Sequence, residues 1–337
     1  MTMASIEYAF VGGLREDYCL TAAGEIHLHK VGGNALYAAV GARVWAEPIG
    51  VLARVGSNYP AEWLELMQQR GLDTRGVKVL PEPQDTRTFY AYRSLEERLD
   101  TNPAEHFARL GLPLPPALEN YASSTEGQEE RTKFRPLAVR PGEVPPGYLH
   151  ARGVHLAPCE FVVHNTLPAA LRRNNVRYIT CDPSIRYMHP AFADDVKKLV
   201  YGLEAFLPSE METRALFRDS ITDLWQAAEA LGAMGAKIVV IKLGARGQYL
   251  YHTDSRRRWH MPAYPAKVKD VTGAGDAYCG GFLVGLAQTD DPVEAALRGA
   301  VAASLVVEGT GALYALDSTP GLAQARLEAL RGSIRPV

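Results

Sequence analysis

The sequence predicts an α/β protein: a three-layer α/β/α sandwich on a mostly parallel sheet, with a small β-sheet lid. Three observations predict it. Apolar strand-like runs at 153–157, 176–182 and 237–243 alternate with helix-like runs at 162–173 and 220–234, the βαβα order of a sheet covered on both faces. Two long helical stretches, 274–288 and 292–307, close the chain. Alternating segments at 25–30 and at Thr86–Arg93 read as strands outside that rhythm.

Taken in order, Ile6–Val11 is a short apolar run stopped by Gly12-Gly13, as suits a buried strand. Gly24 then marks a turn before the alternating EIHLHK, so residues 17–31 read as an exposed hairpin. Gly32-Gly33 opens the helical NALYAAVGARVW, residues 49–55 form a strand, and residues 61–70 form a helix ended by Gly71. The stretch 101–150 breaks the pattern. It holds eight of the chain's 22 prolines and polar runs such as SSTEGQEER, and reads as a long irregular insertion with a short helix near 103–110.

At 337 residues the chain suffices for one large domain, or one with a small appendage. A hydrophobic content of 47% and a charged content of 22% fit an ordinary globular protein. The net charge of −2 and the scattered aromatics argue against nucleic acid as a partner. No apolar run approaches the ~20 residues of a membrane span. The start MTMASIEYAF lacks the charge and apolar run of a secretory signal. Cys19, Cys159, Cys181 and Cys279 form neither a CxxC pair nor a zinc spacing, and read as reduced thiols of a cytoplasmic protein. Walker-type G-x-x-x-x-G-K-[ST], dinucleotide G-x-G-x-x-G and H-E-x-x-H are all missing.

The segment that carries chemistry is Asp270-Val-Thr-Gly-Ala-Gly-Asp276, directly before the helical AYCGGFLVGLA. Glycines let consecutive N–H groups converge, and the positive end of the following helix lies at the same point. The amides of Gly273, Ala274 and Gly275 would make an anion hole. Asp276, in the first turn, would accept a proton from an attacking hydroxyl. The same letters also suit a plain glycine turn with an aspartate at a helix N-terminus. Gly280-Gly281 costs helix stability and points to close packing.

DVTGAGDAYCGGF resembles the C-terminal motif of the ribokinase-like (PfkB) carbohydrate kinases, D-T-x-G-A-G-D before a small-residue helix. Further matches follow in the family's order over nearly the whole chain outside 101–150. VGGLRED puts Asp17 where the family has an aspartate for substrate hydroxyls. Gly32-Gly33 matches a Gly-Gly motif at a helix start, with Asn34 following at once where the family usually spaces it by a residue or two. CDPSIR at 181–186 resembles D-P-N-x-R. LPSEME resembles N-x-x-E, with Ser209 for the asparagine and Glu212 for the glutamate that helps organise magnesium and phosphate. KLGARG, with Lys242, Gly244 and Gly247, resembles the turn that lines nucleotide phosphates. VEGTGA, with Gly309 and Gly311, resembles the loop beside adenine.

The resemblance implies one kinase unit over roughly residues 1–330, with lid strands near 14–31 and 86–100. It implies ATP and Mg2+, with Glu212 in the outer shell of the metal. It also implies a monovalent cation such as K+ at Asp270, Thr272, Val306 and Gly311. The acceptor would be a small sugar-like molecule held by Asp17, Gly32, Gly33 and Asn34. Two lids would pair to form a homodimer, since an exposed small sheet needs its apolar face covered. Alternatives are a nucleoside kinase, with Phe89, Tyr90 and Tyr92 stacking a base, a vitamin kinase, and a non-catalytic sugar- or nucleotide-binding protein. Arg15, two residues before Asp17, suits either an acidic acceptor or solvent.

Overall fold

The computed structural model describes residues 5–95, 97–218 and 220–336. The first strands are β1 (Tyr8–Val11), β2 (Arg15–Leu20), β3 (Ile26–Gly32), β4 (Ile49–Val55), β5 (Leu72–Val79), β6 (Arg87–Tyr92) and β7 (Arg98–Leu99). After the insertion come β8 (Gly153–Leu156), β9 (Tyr178–Cys181), β10 (Ala205–Phe206), β11 (Ile238–Lys242), β12 (Gln248–His252), β13 (Arg257–Met261) and β14 (Arg335–Pro336).

Ten strands form the main sheet in the order β5-β4-β1-β8-β9-β10-β11-β12-β13-β14. The seven from β5 to β11 are parallel, and β12 to β14 add an antiparallel edge. The fully buried β1, β4 and β8 are apolar throughout or nearly so, as central parallel strands must be when helices cover both faces. On one face pack the helices Asn34–Arg43, Ala274–Thr289 and Pro292–Val306; on the other pack Phe161–Arg173, Ala193–Val200 and Leu224–Ala233. The predicted sandwich is therefore observed. The helix read at 220–234 is shorter, Leu224–Ala233, and a separate helix Glu210–Phe217 precedes it.

From β1 the chain first builds outward to β4 and β5, then returns to β8 and proceeds to the other edge. The reversal falls between β1 and β8, and such a switch point opens a crevice at the carboxyl ends of the strands. Asn34 spans it. Its Oδ1 accepts the Gly13 N–H at 2.8 Å after β1, and its Nδ2 donates to the Pro158 carbonyl after β8.

The lid is a second sheet, β3-β2-β6-β7, with β2 and β6 parallel and the flanking pairs antiparallel. Its outer face carries Tyr18, Leu20, Phe89 and Ala91. Phe107 and Leu118 of the proline-rich insertion cover that face, with Leu114 and Tyr121 beside them. The insertion is thus packed chain, a strap over the lid. The Tyr121 hydroxyl accepts the Phe89 N–H at 3.0 Å, and Ser123 donates to Asp100 at 2.6 Å. The strap then reaches the body, where Ser184 donates to Gln128 at 2.6 Å and Arg186 donates to Thr125 at 2.9 Å. The apolar surface that suggested a lid-to-lid dimer is met within one chain.

Candidate active site

Two helices aim their N-termini at the crevice, and small residues let them do so side by side. A Cβ at Gly280 would collide with the Ala38 carbonyl, and one at Gly41 with the Ala277 carbonyl, so the Asn34 and Ala274 helices touch backbone to backbone. Gly281 does the same toward the Pro292 helix, where a Cβ would stand 2.7 Å from the Arg298 carbonyl. The close packing read from Gly280-Gly281 has these two partners. It brings Gly33, the N-cap of one helix, and Gly273, the N-cap of the other, to the same cleft.

Gly273 has φ +74°, and a side chain there would run into the ring of Tyr37. Ala274 and Gly275 follow in the first turn, Gly275 exposed, with Asp276 half-buried beside them. The nearest atom to a Cβ built on Gly275 is the Lys242 Nζ, at 3.6 Å. Gly273, Ala274, Gly275, Asp276 and Lys242 therefore do gather at one place, although the Ala274 N–H is taken by the Val271 carbonyl at 3.2 Å. Desolvation in the cleft pushes the Asp276 carboxyl up to about 7, against the opposing pull of Lys242 and Arg98.

Lys242 ends β11 and forms a buried ion pair with Asp182 at the end of β9. Cys279 Sγ lies 3.6 Å from the ammonium and 3.5 Å from Asp182. Burial alone would pull the ammonium down, but Asp182, with Cys279 and Glu212, holds it above its ordinary value. Burial likewise pushes Asp182 up to about 8, against Lys242. Oδ1 of Asp182 is buried without a hydrogen-bond partner. Losing the lysine proton would strand a buried carboxylate, so the corner keeps a positive charge beside the helix start.

Ser209 lies next to Lys242 through a parallel bridge and caps the Glu210–Phe217 helix. Its Oγ accepts the Glu212 N–H at 3.3 Å, while Glu212 Oε2 accepts the Ser209 N–H at 2.7 Å and the Ser209 hydroxyl at 2.8 Å. This reciprocal box satisfies two free donors of the helix end. It gives the Ser209/Glu212 pair a structural task in addition to any ligand, and both bonds fall on Oε2, so that among the described residues Glu212 Oε1 has no hydrogen-bond partner. Gly244 and Gly247 form the tight turn after β11, both at positive φ. The Asp270 segment and the 307–311 loop are joined, since the Val307 carbonyl accepts the Lys269 and Asp270 N–H groups at 2.7 and 3.2 Å. Val306 ends the Pro292 helix just before, and the Val306 carbonyl accepts the Gly309 N–H at 3.3 Å. Thr272 N–H donates to Asp270 Oδ1 at 2.9 Å. Among the described residues, no group of three or more His, Cys, Asp or Glu is set to hold a metal unaided.

Facing this corner is the inner face of the lid. Asp17 is buried against Gly32, where any Cβ would overlap its carboxylate, and beside Gly33 at φ +102°. Burial pushes Asp17 up to about 7, with Arg15 and the Gly33 N–H opposing and Asp276 adding to the rise. Its Oδ1 has no partner, nor has the hydroxyl of buried Tyr59. The lid docks on the motif itself: the Thr272 hydroxyl donates to Tyr92 at 3.1 Å and lies 3.6 Å from Cys19 Sγ. Tyr90 and Tyr92 belong to this face, whereas Phe89 lies on the other and packs under the strap. Its proposed stacking against a base is thereby excluded. Asn34, expected on the substrate, spends both ends of its amide on the backbone clamp. Arg98 and Tyr59 were missed. Arg98 sits in a two-residue strand without periodicity, and Tyr59 in a loop.

A parallel α/β sheet with a separate four-stranded lid over the carboxyl ends of its strands is the ribokinase-like fold, and the solved structures agree. A putative ribokinase II from E. coli, crystallised with ATP and Mg2+, superposes with a TM-score of 0.71 over 97% of this chain and 100% of that one, at 16% identity. Residues 147–319 match the pfkB family of carbohydrate kinases, and the chain belongs to that family. A cytidine kinase of Thermococcus kodakarensis is 27% identical over 271 residues, 79% of this chain and 84% of that protein. A 2-dehydro-3-deoxygluconokinase of Thermoproteus tenax is 27% identical over 320 residues, 90% of this chain and 86% of the other. The protein is thus a sugar or nucleoside kinase of this superfamily. No helix among the described residues is long and apolar enough to cross a membrane.

Proposed function

We propose that this kinase moves the γ-phosphoryl of ATP to a hydroxyl of a small sugar or sugar derivative. One observation carries the reading. A carboxylate raised to about 7, Asp276, stands beside a helix start with exposed Gly275 and the Lys242 ammonium, opposite a lid whose Asp17 has an unpartnered oxygen.

In this reading Asp17 and Tyr59 hold acceptor hydroxyls, with Gly32 and Gly33 leaving room for the carboxylate. Asp276 takes the proton as the hydroxyl oxygen bonds to the γ-phosphorus. The bond from that phosphorus to the β-phosphate oxygen breaks, and ADP leaves. The Gly273, Ala274 and Gly275 amides stabilise the charge on the transferring group, and Lys242 adds a fixed cation. Ser209, Gly244, Gly247 and Gly309 line the nucleotide side. The spare acceptors, Asp182 Oδ1 and Glu212 Oε1, suit a hydrated divalent ion. Magnesium bound with ATP supplies charge neutralisation on the phosphates. The seam where Asp270 and Thr272 meet the loop from Val306 to Gly311 suits K+ through its carbonyls.

A nucleoside acceptor is the second reading, favoured by Tyr90 and Tyr92 on the inner face and by the cytidine kinase relative. The test is ADP release from ATP across sugars, sugar derivatives and nucleosides, with and without K+. Acceptor-dependent ADP together with a phosphorylated product is expected. ATP turnover in no arm would overturn the reading.

A further inference from the structure

The strap does more than cover the outer face of the lid. It also turns inward, around the edge of β6. β7 is only two residues long and pairs with Ala91 and Tyr92, so the edge of β6 before them is left to the strap. There the Tyr121 hydroxyl takes the Phe89 N–H, and three residues on the Thr88 hydroxyl donates to Ser124 Oγ at 3.0 Å. Thr88 lies on the inner face. It pairs with Asp17, whereas its neighbour Phe89 pairs with Tyr18 on the outer face. The rows along these strands divide the cleft. Cys19 and Tyr92 meet Thr272 of the phosphoryl motif. The Asp17–Thr88 row stands two residues from the Cys19–Tyr90 row, roughly 7 Å away. Ser124 therefore joins the inner face in the row of Asp17.

Beyond Ser124 the strap is fastened to the body at the carboxyl ends of β8 and β9. The Gln128 carbonyl accepts the Phe161 N–H at 2.8 Å, and its Oε1 accepts the hydroxyl of Ser184, two residues past Asp182. Gln128 and Ser184 are both buried. The residues on either side of Ser124 serve as fastenings. Ser123 and Thr125 donate to Asp100 at 2.6 and 3.4 Å, and accept from Arg186 at 3.4 and 2.9 Å. Ser124 takes no part in that set. Its Oγ accepts from Thr88, and among the described residues its own hydroxyl proton has no acceptor. One row of the inner face thus holds a spare donor at half-buried Ser124 and a spare acceptor at buried Asp17 Oδ1.

Resting on the kinase reading above, we propose that the strap segment 123–128 is a side wall of the acceptor pocket and that Ser124 is a specificity-determining residue, donating to one oxygen of the acceptor while Asp17 accepts from a different hydroxyl. A polyol suits this pair because each of its hydroxyls both donates and accepts. The fastenings on Ser123 and Thr125 hold the Ser124 donor in place before the acceptor arrives, which lowers the ordering cost of binding. The selected feature is a second hydroxyl at a fixed separation from the one on Asp17.

The experiment measures kcat and KM with ATP for neutral sugars, aldonic acids and nucleosides, each beside its monodeoxy analogues. The enzymes are the wild type, Ser124→Ala, Ser124→Thr and Thr88→Val. For its best acceptor the wild type should disfavour one deoxy analogue through Ser124, and Ser124→Ala should lose about 3–10-fold of that discrimination. The loss should appear as a higher KM for the parent acceptor, with kcat and the KM for ATP near wild type. Discrimination at the Asp17 position should persist, and Ser124→Thr should restore most of what alanine removes. Thr88→Val breaks the same strap-to-lid bond but leaves the Ser124 hydroxyl, so it should cost less than Ser124→Ala. Undiminished discrimination against every deoxy analogue in Ser124→Ala overturns the proposal and leaves the kinase intact. So does an equal rise in KM for parent and deoxy acceptors, or an equal loss in Thr88→Val, since either would make Ser124 only a fastening of the strap. ADP release in no arm would sink the kinase reading and this one together.

Discussion

The two walls of the cleft are built by different means. The phosphoryl wall is backbone: amides at Gly273 to Gly275, presented by a helix that glycines press against its neighbours, with one buried ion pair behind. The acceptor wall is side chains on a four-stranded sheet, Asp17, Tyr90, Tyr92 and Arg98, backed by the strap on the far side and docked on Thr272 through Cys19 and Tyr92. A backbone wall has few ways to vary, since a Cβ at Gly273 or Gly280 meets solid neighbours. A side-chain wall can change its residues without altering the sheet. On the proposed function, chemistry is concentrated in the first wall and acceptor choice in the second.

That contrast breaks first at Asp276. Asp276→Asn keeps the helix start but removes the base, and should lower kcat by about 10²–10⁴-fold while the thermal midpoint stays close to wild type. A variant with near wild-type kcat would remove the division of labour altogether. The acceptor wall is probed by Phe107→Ala, which hollows the cover of the lid. Loss of a buried phenylalanine costs ~3–5 kcal/mol in a rigid core, and less where a thin sheet can settle. The predicted signature is a raised acceptor KM, faster proteolysis within 100–128 and a smaller change in the KM for ATP. Equal rises in both KM values would mean that the strap supports the whole cleft.

The phosphoryl wall was legible in the sequence because its physics is local. Glycine spacing, an acid in the first turn and a following small-residue helix are all encoded within 270–285. Asp17, Gly32 and Gly33 were legible for the same reason, each tied to a turn or a helix start. The acceptor wall was less so. Which side of β6 faces the cleft depends on pairing with β2, and no property of Phe89 itself says that it lies under a strap. The strap is irregular, and its role comes from contacts across long sequence separations. Two-residue strands such as β7 and β10 carry no periodicity to read. Ser209 and Glu212 were read through their resemblance to a ligand motif, although the S-x-x-E spacing also spells the helix cap that they form.

The central claim is that Asp276, with its pKa raised to about 7 in the cleft, is the base that activates the acceptor. A base works only when unprotonated, so kcat/KM measured against pH with saturating ATP should rise through about 7 and level off above it. Below that point Asp276 should cost about tenfold per unit of pH, and Asp17, raised to about 7 by the same burial, adds to the fall. In Asp276→Asn the limb should become shallower on a low rate, keeping only the Asp17 ionisation. A wild-type profile flat from pH 5.5 to 8.5, or a limb of undiminished steepness in the asparagine variant, would contradict the account.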